Sequence, residues 1–202
     1  MSETPSSQAA SESRWLPVRL WADYWRYVAL SGALFAVGIV VGALLVDLVS
    51  LSVLFGGREL EGAFPEPTVG LLVVNNAIVI LLLVASSLTL GLVTAAVLLY
   101  NGVIVGYVAT EVAREGGLAV VLVGLLPHGV LEIPAFLFAS AVAFRFTHQV
   151  LGAALGRRED VMTQRELREA AVMVVVALVL IPIAAFVEAE ITTALLDGMR
   201  TG

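Results

Sequence analysis

Five apolar stretches, separated by short polar or charged segments, follow one another along the 202-residue chain. An apolar run of about 18 or more residues with few charges is typical of a transmembrane helix. Residues 68–110 carry no formal charge and would form a single helix of about 64 Å at 1.5 Å per residue, about twice the hydrocarbon thickness, so we expect a hairpin there. The pattern predicts an all-α bundle of about five transmembrane helices, over residues 26–49, 69–86, 89–110, 127–151 and 167–191.

Two shorter elements are predicted beside these helices. Residues 14–25 read RWLPVRLWADYW, and their tryptophans and arginines favour the headgroup region, so we expect an interfacial helix that leads into the first span. Pro127 interrupts the next long run, and proline is best tolerated in a helix's first turn. We therefore expect a short half-helix over residues 118–125, before the fourth span.

A single membrane domain over residues 14–198 accounts for the rest of the pattern. The polar residues 1–13 are predicted to form a disordered tail, since they lack the basic start and apolar core of a signal peptide. Ser86-Ser87 or Gly91 marks the turn between the second and third spans. A charged loop is predicted over residues 111–117.

Arginines near the predicted helix ends set the expected orientation. The N-terminal flank and the loop after the fourth span are rich in them, and cytoplasmic segments carry such an excess. Five spans therefore predict a multi-pass protein of the cell membrane, with a cytoplasmic N-terminus and an external C-terminus. The arginines concerned are Arg14, Arg19, Arg26, Arg157, Arg158, Arg165 and Arg168.

Composition narrows the class of function. The chain is 59% hydrophobic and 14% charged, against about 45–50% and about 25% in soluble domains. It has no cysteine, which excludes disulfides and sulfur-ligated metals, and its net charge of −6 argues against nucleic-acid binding. No GxSxG, P-loop or dinucleotide fingerprint occurs. We therefore expect neither enzymatic activity nor a cofactor.

Six polar residues interrupt the apolar spans, where ionisable groups are costly and normally face the bundle interior. Counting 1.5 Å per residue from the predicted ends places most of them in one outer-leaflet layer, contributed by four helices. His128 and Glu132 are four residues apart, on one helix face. The predicted intramembrane polar network comprises Asn75, Asn76, Asn101, His128, Glu132 and Glu188.

Three interpretations of these residues stay open. They could be a polar clasp that joins four helices, or they could line a binding or transport site. One histidine and two glutamates could also hold the metal of a membrane hydrolase, although HExxH is absent. Elsewhere, Arg145 is expected to extend to the inner headgroups, and His148 to lie at the interface.

Small residues predict close helix packing, because they let backbones approach. We expect these faces to support a homo-oligomer or contacts with other membrane proteins. The residues are Gly38, Gly42, Gly102, Gly106 and Gly129.

The segment LLPHGVLEIPAFLFASAVAFRF, residues 125–146, resembles the signature of the stage II sporulation protein M family. That signature is a proline-His-Gly-x-x-Glu-x-Pro helix, followed by small residues and a basic residue. Asn75-Asn76, the Asn101-Gly102…Gly106 pattern and AAFVEAEIT at residues 184–192 are similar as well. The resemblance covers roughly residues 25–195.

The resemblance implies an integral membrane protein, since the archetypal member acts in endospore engulfment as a non-enzymatic scaffold beside peptidoglycan-degrading partners. The first hypothesis is therefore a scaffold or partner-binding subunit of a membrane complex. The second is a channel or transporter whose six polar residues line a cavity open to the outside. A half-helix over residues 118–125 would suit the second, because broken helices border transport sites.

Overall fold

A computed structural model describes residues 15–50 and 68–201. The predicted tail over residues 1–13 and most of the loop after the first span lie outside the described residues. The described chain consists of helices and contains no strand. The helices are α1 (Leu16–Leu45), α2 (Val69–Ala85), α3 (92–116), α4 (118–154), α5 (Gln164–Phe186) and α6 (Thr193–Thr201).

Helix α1 is continuous for 30 residues, about 45 Å at 1.5 Å per residue. It begins where Pro17 stands in the first turn, a position at which proline's missing N–H costs nothing. No glycine or proline interrupts the next fourteen residues, 18–31. The predicted interfacial helix is therefore the first part of α1 rather than an element of its own.

Helices α3 and α4 form an antiparallel hairpin with a one-residue turn. Gly117, with φ 81°, is the single non-helical residue between 92 and 154, and glycine adopts this backbone conformation at little cost. At the far end of the hairpin, Gly91 faces Phe144. The predicted loop over residues 111–117 is thus helical up to Gly117.

No separate half-helix precedes the fourth span. Residues 118–125 are the first two turns of α4, which continues through Pro127 and Pro134. Each proline removes one backbone N–H, and helices in a membrane bundle tolerate this because neighbouring groups satisfy the freed carbonyl. The proline at residue 127 therefore does not mark a helix start.

The turn between α2 and α3 lies at the predicted place. Ser86–Thr89 form a short 3₁₀ turn, and the next two residues, Leu90 and Gly91, have positive φ. The Ser86 hydroxyl donates to the Leu83 carbonyl at 2.7 Å and lies 2.6 Å from the Thr94 hydroxyl. These bonds tie the turn to both helices.

Four of the predicted packing glycines form the contact between α1 and α3. A Cβ on Gly38 or Gly42 would meet backbone carbonyls of α3, at Leu99 and Val103. A Cβ on Gly102 or Gly106 would likewise meet backbone of α1. These faces are occupied within the chain, so the expected oligomer would require another surface.

Gly129 does not take part in such a contact. A Cβ there would meet only Leu125 and Ile133 of its own helix, at 3.7 and 3.8 Å. These are ordinary van der Waals separations, so this glycine is not needed for close packing against a neighbouring helix.

Within residues 15–50 and 68–201, four continuous helical segments are long and apolar enough to cross a membrane. One of them, Leu92–Ala154, contains the α3–α4 hairpin, so the segments amount to five helices. The fifth, α5, starts at a capping box of Thr163 and Glu166 and ends in a π-helical turn, Val187–Thr192. The chain therefore has the expected all-α polytopic membrane fold. We refer to its two ends as the Gly117 end and the Gly156 end, after their turn residues.

A polar cavity as candidate functional site

A cavity of about 510 Å³ lies among the helices toward the Gly117 end. Five helices contribute to its wall: α1, α2, α3, α4 and α6, together with the π-helical turn. Its lining includes every residue of the predicted polar network. The six are Asn75, Asn76, Asn101, His128, Glu132 and Glu188.

The cavity extends along α4 from Val120 to Phe136, a rise of about 24 Å. The end of the cavity at Val120 is thus close to the turn at Gly117. Phe35 and Phe136, each 5% exposed, lie at the other end. Past them the interior is filled by apolar side chains such as Ala139 and Ile181, both 0% exposed. The cavity therefore ends inside the bundle.

Three chemically reactive side chains meet on the wall of the cavity. His128 and Glu132 lie one turn apart on α4, and Glu188 comes from the π-helical turn after α5. One nitrogen or carboxylate oxygen of each lies within 4.8 Å of those of the other two. We call these three residues the His/Glu trio. All three are half-buried.

The backbone around Glu188 departs from the α-helical pattern. A π-helical turn holds one more residue than an α-helical turn and often occurs at functional sites. Here the Thr193 hydroxyl donates to the Glu188 carbonyl at 3.2 Å, which adds a side-chain bond to the widened turn. The extra residue changes which side chains after Phe186 face α4.

The asparagines bond locally. The Asn75 amide donates to the Asn76 side-chain oxygen at 3.3 Å, and the Asn101 amide donates to the Val97 carbonyl of its own helix at 2.8 Å. The His128 Nδ1 atom is buried and has no hydrogen-bond partner. The clasp interpretation requires hydrogen bonds between helices. Among the described residues, no hydrogen bond within the set of six joins two helices.

Two glutamates line the cavity, and no arginine or lysine lies beside them among the described residues of the lining. Buried carboxylates normally have a partner, because an isolated charge in an apolar environment is costly. His128 is the single cationic candidate in the lining, and it could offset at most one of the two carboxylates.

A second group of charges, at the Gly156 end, was not predicted. Arg145 is only 11% exposed and does not extend to headgroups: its guanidinium lies 3.3 Å from Glu169, 3.6 Å from Asp23 and 3.7 Å from Glu166. It also stacks over the Tyr24 ring at 4.4 Å. We call these residues, with the arginines that join them, the ion-pair cluster. The additional arginines are Arg19, Arg158 and Arg165.

The ion-pair cluster joins three helices, α1, α4 and α5. Glu169 is 2% exposed, and Arg165, one turn earlier, donates to it at 2.9 Å. That i, i+4 spacing was visible in the sequence, but the contacts with α1 and α4 depend on the fold. Nearby, the Tyr27 hydroxyl lies 2.9 Å from Nδ1 of His148, which is exposed as expected for an interfacial residue.

A separate ion pair, outside the ion-pair cluster, lies at the Gly117 end. Arg114 of α3 donates to both carboxylate oxygens of Asp47, at 2.7 and 2.9 Å. Both side chains are exposed. Hydrogen bonds from the Arg114 guanidinium hold the pKa of the Asp47 carboxyl below its ordinary value of 3.8.

The sequence model of the stage II sporulation protein M family matches residues 31–193 of the chain. The chain belongs to this family. The match includes the whole His/Glu trio and the three cavity asparagines. It begins within α1, after the residues that supply the ion-pair cluster from that helix.

One relative is similar to this chain over most of its length. An uncharacterized protein from the archaeon Methanocaldococcus jannaschii is 28% identical over 168 residues, which cover 82% of this chain and 93% of the relative. The similarity thus extends over nearly the whole archaeal protein. No solved structure matches the chain significantly.

Proposed function

We propose that this protein is a non-enzymatic membrane protein that binds a small polar or charged ligand in the cavity among its helices. One observation carries the proposal: six polar side chains, far apart in sequence, line a single cavity of about 510 Å³. Membrane-depth polar groups are costly unless they serve a site or a pathway. The proposal takes up the interpretation of these six residues as a binding or transport site rather than as a polar clasp.

The shape of the cavity favours a binding site over an open channel. Phe35 and Phe136 lie where it ends, and fully buried apolar residues continue below them. An aqueous pore would have to cross that packed layer. The site therefore suits a receptor, or a carrier that must change conformation to release its ligand on the other side.

We propose that the ligand enters from outside the cell. Arg19 of α1 and Arg165 of α5 both lie within 4 Å of Glu169 at the Gly156 end. Arg158 of the α4–α5 loop contacts Glu166 at the same end. The positive-inside rule assigns this end to the cytoplasm. The Gly117 end, toward which the cavity extends, then faces the exterior.

Cysteine accessibility tests the proposal, because the chain has no native cysteine. Gly124 lines the cavity, and a Cβ there would meet nothing within 4 Å, so Gly124→Cys should fold normally. Leu126→Cys, two residues further on α4, is the matched control, since Leu126 is exposed on the outer surface of the bundle. A thiol in lipid does not ionise and does not react with a charged reagent.

The expected result is rapid labelling of Gly124→Cys by a membrane-impermeant thiol reagent added outside intact cells, with little labelling of Leu126→Cys. Equal, slow labelling of both variants would show that the cavity is closed to water and would contradict the proposal. Labelling of Gly124→Cys only in inverted vesicles would contradict the proposed orientation.

A scaffold or partner-binding subunit of a membrane complex is the second candidate. Membership of the stage II sporulation protein M family supports it. This role requires a homo-oligomer or a membrane partner that survives extraction in mild detergent. Recovery of a lone monomer under several extraction conditions would count against it, and would leave ligand binding unaffected.

A further inference from the structure

We propose that the His/Glu trio binds a divalent transition-metal ion, such as Zn²⁺ or Mn²⁺, inside the cavity. The inference rests on the proposed function, because it names the ligand class of the same cavity. It departs from the expectation that the chain has no cofactor. Three features support it: the spacing of the donors, the charge of the cavity and the chemistry of the three side chains.

The donors are spaced for a shared ion. One ligand atom of each of His128, Glu132 and Glu188 lies within 4.8 Å of the others. Around a tetrahedral ion with bonds of about 2.0–2.2 Å, neighbouring donors are about 3.3–3.6 Å apart. Closing the remaining gap of about 1 Å requires only side-chain rotation, since glutamate has three rotatable bonds.

The charge of the cavity matches a dication. Among the described residues of the lining, no arginine or lysine lies beside the two carboxylates. A divalent ion carries two positive charges, which match two carboxylates, and it accepts a lone pair from an imidazole nitrogen, so one ion satisfies all three groups together.

The donor types favour a transition metal. Imidazole suits zinc, iron and nickel, whereas magnesium and calcium prefer sites made of oxygen alone. Two carboxylates add hard oxygen donors, which manganese and zinc also accept. The trio leaves at least one coordination position open, and Asn76 and Asn101 line the same cavity. Such an open position is typical of a site that exchanges its ion or binds a further ligand.

Metal titration of the purified full-length protein tests the inference. The protein is extracted in mild detergent with an affinity tag that contains no histidine, stripped with a chelator, and titrated with Zn²⁺ and Mn²⁺ separately by calorimetry. Co²⁺ serves as a spectroscopic probe, because its visible absorption reports tetrahedral coordination by nitrogen and oxygen. We expect one ion per chain.

Matched variants identify the ligands. We expect His128→Gln, Glu132→Gln and Glu188→Gln each to weaken binding by about 100-fold or more, since even loss of an outer-shell partner costs about 10–100-fold. His148→Gln removes the only other histidine, and Glu190→Gln removes an exposed carboxylate two residues after Glu188. Both control variants should bind as wild type does. Their thermal unfolding and size-exclusion profiles check that all five variants fold.

The outcomes separate this inference from the proposed function. No stoichiometric binding by folded wild type, or equal binding by the trio variants, would overturn the metal site. Labelling of Gly124→Cys from outside would then still uphold a ligand cavity of another kind. Tight binding that depends on the trio, in a protein whose Gly124→Cys resists labelling, would uphold the metal site and contradict external access.

Discussion

Helix α4, together with α5 and the π-helical turn that follows it, brings ionisable side chains together at both ends of the bundle, but under opposite conditions. At the Gly156 end every acid of the ion-pair cluster lies within 4 Å of at least two arginines. At the Gly117 end no arginine or lysine lies beside the two glutamates of the His/Glu trio among the described residues of the cavity lining. The same pair of helical segments thus carries paired charges at one end and unpaired charges at the other.

The difference indicates which group has a role in the fold and which has a role in function. A buried ion pair with several hydrogen bonds offsets its own desolvation, and removing one partner leaves an uncompensated charge. The ion-pair cluster is therefore explained by the packing of α1, α4 and α5 alone. No arginine or lysine lies beside the trio among the described residues of the cavity lining, and this difference is the reason that we propose a ligand there.

The largest effect should come from breaking the ion-pair cluster. Arg145→Met keeps an unbranched apolar side chain but removes the guanidinium that faces Asp23, Glu166 and Glu169. Glu169 is 2% exposed, so we expect a loss of about 3–5 kcal/mol in the free energy of unfolding. Denaturant-induced unfolding in mixed micelles measures it. The control is Arg114→Met at the exposed pair, where the loss should be much smaller. Similar losses for both variants would remove the distinction between buried and exposed pairs.

Glycine substitutions compare the packed part of the bundle with the cavity. A Cβ on Gly106 would meet the backbone of Ile39, so Gly106→Ala should destabilise the protein by about 1–3 kcal/mol, as overpacking does. Gly124→Ala adds the same methyl group to the cavity wall, where nothing lies within 4 Å. It should leave stability unchanged or raise it by up to about 1 kcal/mol through helix propensity. Thermal unfolding of both variants in one detergent gives the comparison. A loss of stability in Gly124→Ala would mean that neighbouring side chains fill the cavity.

The sequence alone predicted the helices of the bundle and the polar residues that line the cavity. The five apolar stretches predicted the helices, and the cost of polar groups in lipid predicted that the six cavity residues face inward. Helical spacing put His128 and Glu132 on one face. Counting residues from predicted helix ends placed Asn75, Asn101 and Glu188 at similar depths, because the rise per residue is fixed.

Features that depend on tertiary contacts were not predictable in the same way. Pro127 suggested a helix start, yet a proline within a membrane bundle can stay in a continuous helix. Arg145 contacts Asp23, which lies 122 residues earlier in the sequence. A separation of that length does not predict a contact. The π-helical turn that carries Glu188 has no sequence signature comparable to a proline or a glycine.

Glu132→Gln tests what the His/Glu trio contributes to the stability of the fold, rather than to binding. The substitution keeps the shape of the side chain and removes a carboxylate that has no arginine or lysine partner among the described residues of the cavity lining. In metal-free protein we therefore expect the free energy of unfolding to change by less than about 1 kcal/mol, or to rise, since no pair is broken. Unfolding in chelator, beside Glu169→Gln as the paired control, measures the contrast. A loss on Glu132→Gln as large as that on Glu169→Gln would mean that Glu132 has a structural partner.

The smallest effect concerns the exposed pair of Asp47 and Arg114, and it depends on pH. The pKa of Asp47 is lower in the folded protein than its ordinary value of 3.8. A lowered pKa stabilises the fold above the unfolded-state value, and this contribution is lost as the pH falls through the folded-state pKa. The stability difference between wild type and Arg114→Gln should therefore be constant above pH 3.8 and shrink below it. High salt should reduce it at every pH, because exposed pairs are screened. Unfolding midpoints across an acid pH series give the curve, and Asp47→Asn as background should abolish the difference. A difference that persists in that background would assign the effect of Arg114 to the packing of its side chain and not to its charge.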